Sequence, residues 1–133
     1  MTPIDFFWAS VRRNPDAVAA IEVAANGQLI HQLSYRALAE QVDAAAAAFQ
    51  QLSQRRRPRV VIASRNSMAM LICILATYQC RGVLVPLTPK NPEAELRQQI
   101  EVAKPDLLVL DESANALASQ QTLPILQIVH ANG

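Results

Sequence analysis

At 133 residues, 51% of them hydrophobic and 17% charged, the chain has the length and composition of one globular domain or part of one, which excludes a disordered segment. The net charge is +1, and the single basic cluster, Arg55, Arg56, Arg57 and Arg59, has no aromatic residue interleaved with it, so no nucleic-acid partner is expected. The apolar run from Met68 to Cys80 falls well short of the roughly 20 residues that span a bilayer, and Asp5 interrupts the first apolar cluster ahead of Arg12 and Arg13, so neither a membrane span nor a signal peptide is expected.

In chain order, Ile4, Phe7, Trp8 and Val11 stand at helical spacing, and Asn14-Pro15-Asp16 ends that first amphipathic helix, which must dock on something. Ala17–Val23 and Gln28–Leu33 flank Asn26-Gly27, a strong hairpin signal, so two antiparallel strands are expected to open the sheet. Ser34 is placed to cap a long helix whose inward face is Leu38, Val42, Ala45, Phe49 and Leu52. The arginine cluster reads as a solvated connection to a buried strand, Val60–Ala63.

Asn66 or Ser67 then caps a helix, Met68–Cys80, that is apolar nearly all round and must therefore be covered on more than one side. Gly82 is expected as the left-handed residue that closes it. Val83–Val85 forms a short strand that Pro86 must end or confine to a sheet edge. Asn91 and Pro92 read as the cap and first turn of a helix to Val102, with Glu93 and Glu95 at its positive end. Strand Leu107–Leu110, a short helix Ser113–Ser119 and a last strand Ile125–Val129 complete the order. The fold class is α/β: an N-terminal β-hairpin followed by a mostly parallel sheet flanked by helices.

Ligands of open parallel sheets bind beyond the carboxyl ends of the strands, here Ser64-Arg65-Asn66-Ser67, Thr88-Pro89-Lys90-Asn91, Asp111-Glu112 and His130-Ala131-Asn132. With only Gly27, Gly82 and Gly133, no glycine-rich phosphate loop can be assembled. Asp111-Glu112 reads as a dipole-complementing surface pair at a helix start rather than an acid/base or metal pair. His31 and His130 lack any zinc spacing, and Ser64 and Ser67 have no histidine near them in sequence. Cys73 and Cys80 lie about seven residues apart on one helix, roughly 10 Å along its axis, too far to bridge; reduced thiols in a cytoplasmic protein are expected. The catalytic, cofactor-binding and metal-binding sets are therefore each expected to be empty.

Together these segments resemble the beginning of the adenylate-forming, AMP-binding superfamily of acyl-CoA synthetases and nonribosomal peptide synthetase adenylation domains. Asn14-Pro15-Asp16-Ala17-Val18-Ala19 is similar to the family's opening, and Leu33-Ser34-Tyr35-Arg36-Ala37-Leu38 to its first core motif, with Ala37 where glutamate is usual. Leu75–Pro89 looks like the second core motif, with Cys80-Arg81 in place of alanine-glycine and Thr88 in place of aspartate. Asn91–Leu96 and Pro105–Val109 match the helix and strand that follow.

The resemblance implies one partial N-terminal subdomain over 1–133, a scaffold without the phosphate loop and inactive alone. ATP and magnesium are implied only for the complete carboxylate-activating ligase. The implied partners are the remainder of the adenylation domain or a complementary chain, and CoA or a carrier protein for the complete enzyme. The alternative is a non-catalytic adenylation-like module kept for protein interaction. A flavodoxin-like ligand domain is a third possibility.

Overall fold

The computed structural model describes residues 2–130. Helix α1 (Pro3–Arg13) leads into a hairpin of β1 (Val18–Val23) and β2 (Leu29–Ser34). Then come α2 (Tyr35–Ser53), β3 (Arg59–Ala63), α3 (Met68–Gln79), β4 (Val83–Leu87), α4 (Glu93–Ala103), β5 (Leu107–Leu110), a 3-10 segment (Glu112–Ala118) and β6 (Ile125–Gln127). The last four strands form one parallel sheet in the order β4, β3, β5, β6. The α/β class and its parallel sheet are as the sequence predicts.

Alternation along the central strands sorts the core into two layers. Val60 and Ile62 of β3, with Leu107 and Val109 of β5, face Phe49 of α2 and Cys73 and Ala76 of α3. Val61, Ala63, Leu108 and Leu110 face Leu96 and Ile100 of α4 and Leu117 of the 3-10 segment. All eight strand residues are fully buried, as expected of a parallel sheet covered on both faces.

The hairpin does not open this sheet, contrary to expectation; β1 and β2 form a separate two-stranded sheet. Leu33, Ala19 and Ala20 instead pack with Leu38 and Val42 of α2 and with Met68, Leu71, Ile72 and Leu75 of α3. The two helices thus lie between hairpin and sheet, which keeps their strand edges apart. The same arrangement explains the apolar character of α3, which has interior contacts on the sheet side and on the hairpin side.

Helix α1 docks on α2 and α3. Ile4 is buried, the Phe7 ring lies 5.7 Å from that of Trp8, and Trp8 Nε1 donates to Gln79 Oε1 at 2.6 Å. Ser34 Oγ accepts from Ala37 N at 3.1 Å and Ser67 Oγ from Met70 N at 3.1 Å, so both serine caps form. Asn26-Gly27 makes the hairpin turn, with Gly27 at φ +85°.

Four local expectations are corrected. Gly82 is not the left-handed residue; Arg81 takes that conformation, at φ +58°. Gly82 answers to close approach instead, because a Cβ there would meet the Pro58 carbonyl oxygen at 2.1 Å. Pro92, not Asn91, is the boundary residue of α4, and Leu96 N donates to its carbonyl. The predicted short helix is 3-10 and kinked at Ala114, and β6 ends two residues early. Pro86 lies within β4 rather than ending it, which an edge strand permits.

Candidate functional site

The parallel topology brings the segments after β3, β4 and β5 to one edge of the sheet. Ser64, Arg65, Asn66, Thr88, Lys90 and Ser113 line a cleft there of about 600 Å³. Ser67 is taken up by its helix cap, and Asn91 N donates to Thr88 O in the turn after β4. His31, exposed on β2, lines a separate groove together with Arg65 and His130. Ala131 and Asn132, and Gly133 with them, lie outside the described residues.

Beside this cleft the structure departs most from the sequence reading. Asp111 and Glu112 are not a surface pair: Asp111 is fully buried, while Glu112 is exposed and ion-paired to Arg65 at 3.6 Å. Asp111 Oδ1 accepts from Ser113 N at 2.9 Å and from Ser113 Oγ, so its expected role at a helix start is real. Its Oδ2 reaches further, accepting from Ser64 Oγ at 3.1 Å, Arg65 N at 2.9 Å and His130 Nε2 at 3.2 Å. One carboxylate therefore ties together the chain leaving β3, β5 and β6.

Burial alone would push the Asp111 pKa up, but the hydrogen bonds from Ser113, Arg65, His130 and Ser64 outweigh it and hold the group below its ordinary value. The group is an ionised acceptor, so His130 Nε2 must be the donor in their bond.

This chemistry limits what the cluster can do. Asp111, Glu112 and His130 have ligand atoms within 4.8 Å of one another, a spacing that invites a metal. A carboxylate has about four lone-pair sites. Those of Asp111 already face donors from Ser113 N, Ser113 Oγ, Ser64 Oγ, Arg65 N and His130 Nε2, so a cation would have to displace a bond the fold uses. Magnesium does not fit. Nor does nucleophilic catalysis, since Ser64 and His130 each bond to Asp111 and no hydrogen bond joins them among the described residues.

A triphosphate does not fit the cleft either. Arg65 and Lys90 supply charge, but the two described glycines serve the hairpin turn and the Pro58 contact, leaving no glycine-rich run of backbone amides.

The Asp111 cluster escaped the sequence because its signal lies in strand pairing. Ser64 and Asp111 each directly follow a short apolar strand, and they meet because β3 and β5 are neighbours with Ala63 opposite Leu110. The order of strands in a sheet is not written in the spacing of residues.

A layered α/β unit with a separate hairpin defines the class, and comparison with known proteins gives the family. The family model described as AMP-binding enzyme matches residues 7–132. The chain belongs to this family and corresponds to the N-terminal part of its adenylate-forming members.

Among similar proteins, the hybrid PKS-NRPS synthetase LUC5 of a Fusarium species is 31% identical over 113 residues, covering 85% of this chain and 3% of that protein. Klebsiella oxytoca NpsA in complex with 3-hydroxyanthranilyl-AMSN is 27% identical with a TM-score of 0.76, over 93% of this chain and 24% of NpsA. The NpsA N-terminal subdomain is 25% identical with a TM-score of 0.73, over 94% of this chain and 30% of the subdomain. The chain thus spans a small fraction of these relatives. Among the described residues, no helix is long and apolar enough to cross a membrane.

Proposed function

We propose that this chain is the opening scaffold, a single partial subdomain over 1–133, of an adenylation domain that activates a carboxylic acid with ATP and passes it to a thiol. The observation that carries this reading is the family match over residues 7–132 on a fold like that of the NpsA N-terminal subdomain. Within the chain the side chains build and fasten the sheet. No catalytic, cofactor-binding or metal-binding role falls to any of them; ATP and magnesium are held by other parts of the complete enzyme.

Its partner is the remainder of the adenylation domain, in the same polypeptide or another, with a carrier protein or CoA as thiol acceptor for the whole. The reduced state of Cys73 and Cys80 suits a cytoplasmic location. Carboxylate-dependent exchange of pyrophosphate into ATP tests the reading: the 133-residue chain alone is expected to give none, and turnover above background would overturn it.

The second reading, a non-catalytic interaction module, is favoured by Ala37, Arg81 and Thr88 at motif positions where the resemblance implies other residues. It requires a longer polypeptide carrying the rest of the domain to be equally inactive in the same exchange assay.

A further inference from the structure

The hairpin turn sets a backbone nitrogen, that of Gly27, next in the chain to the side-chain carboxamide of Asn26, and nothing crowds the pair. Ala25, Asn26, Gly27 and Gln28 are all exposed, and no described atom lies within 4 Å of the Cβ that Gly27 lacks. The other described asparagines are followed by different residues. Asn14 and Asn91 precede prolines, whose nitrogen carries no hydrogen, and Asn66 and Asn115 precede Ser67 and Ala116, whose side chains shield the nitrogen.

Two hydrogen bonds of the turn act on the Asn26-Gly27 pair in opposite senses. Gln28 N donates to Asn26 Oδ1 at 2.9 Å, which draws electrons from Cγ and would hold the oxyanion of an adduct formed there. Gly27 N donates to Ala24 O at 2.9 Å, so the proton that this nitrogen must lose before it attacks is already bound. The second bond decides the rate, because without a deprotonated nitrogen there is no attack to assist. It breaks when the hairpin opens. The hairpin is a separate two-stranded sheet with Ile21, Val23 and Leu29 exposed, and a sheet of two strands is marginal in water, so local opening there is cheaper than unfolding the parallel sheet.

We infer that Asn26 is a site of self-modification, converted to aspartate and isoaspartate at a rate set by the opening of the hairpin. Gly27 N gives its proton to a solvent base and bonds to Asn26 Cγ; the Cγ–Nδ2 bond breaks, and the nitrogen leaves as ammonia from a cyclic imide. Water then opens the ring. Its addition at Cγ gives aspartate with the main chain intact, and its addition at the backbone carbonyl carbon gives isoaspartate, with the main chain rerouted through the side chain and lengthened by a methylene. In sum one amide and one water become one carboxylate and one ammonium ion, and the turn gains a negative charge.

Ageing of the full 133-residue chain at mildly alkaline pH tests this. Conversion is located by fragment mass and isoaspartate by enzymatic methyl transfer, which keeps Asn26 apart from Asn132-Gly133, outside the described residues. In guanidinium chloride Asn26 is expected to convert as fast as in a synthetic peptide of residues 24–29, and in native buffer several-fold more slowly. That slowing should equal the hydrogen-exchange protection of the Gly27 amide, since one opening exposes both. Asn26→Gln, which would have to close a larger ring, is expected to stay unmodified at this position. Failure of Asn26 to convert in guanidinium chloride overturns the site. Equal native and denatured rates, or a slowing out of step with Gly27 protection, overturn its control by the hairpin.

Discussion

Asp111 shows how far one residue's role depends on neighbours that sequence does not place beside it. Truncation by Asp111→Ala strands Arg65 N and His130 Nε2 without their acceptor, leaves Ser64 Oγ only the Arg65 carbonyl at 2.8 Å, and is expected to cost about 3 kcal/mol in urea unfolding. The pH dependence has a definite sign. The unfolded carboxyl titrates at its ordinary 3.8 and the folded one lower, so its stabilisation is complete well above 3.8 and is lost as pH falls through the folded value. Asp111→Asn is expected to flatten that acid limb, measured as urea midpoint against pH. The two thiols give a second residue-scale prediction. Burial pushes the Cys73 thiol up to about 12 and raises that of Cys80, so little thiolate exists near neutrality. Neither should react with Ellman's reagent in the native protein, and both should react on unfolding; rapid native labelling would contradict the burial.

At the scale of elements, helices and strands were legible where a periodic pattern coincided with a local signal. Ser34 announced α2 through its cap, Asn26-Gly27 announced the hairpin turn, and the apolar run from Met68 announced α3. What was not legible was which residue bears the backbone strain at a junction. Gly82 looked like the helix closer because glycine is the residue best suited to that role, yet the tight spot there is its contact with Pro58. The two neighbours should therefore respond unequally. Gly82→Ala forces a Cβ into a backbone carbonyl that cannot rotate away, and is expected to cost about 2 kcal/mol. Arg81→Gly relieves a left-handed conformation costing about 1 kcal/mol and sacrifices only an exposed ion pair to Asp5, so stability should stay within about 0.5 kcal/mol of the parent. Thermal unfolding of the pair separates the two accounts; equal losses would restore Gly82 as the closing residue.

For the whole molecule, the class of fold followed from the alternation of short apolar strands with helices, while its layering did not. Hairpin and parallel sheet are consecutive in sequence and separated in space, because α2 and α3 each carry apolar residues on two sides and intervene. Helix α3 is the clearest case. Its sheet side bears the small residues Ala69, Cys73 and Ala76, along with Met70 and Ile74, whereas its hairpin side bears Met68, Leu71, Ile72 and Leu75. In an amphipathic helix, polarity sets the rotation about its own axis, since a one-residue slip of about 100° would drown a polar group in the core. Here, ahead of Gln79 and its bonds to Trp8 and Asp43, most rotations offer hydrocarbon to both neighbours, so volume sets the fit along most of the helix. Added bulk at Ala76 would press on the sheet, and lost bulk at Leu75 would empty the layer beneath the hairpin. The helix is keyed like a wedge between two surfaces, and its thin side must face the strands.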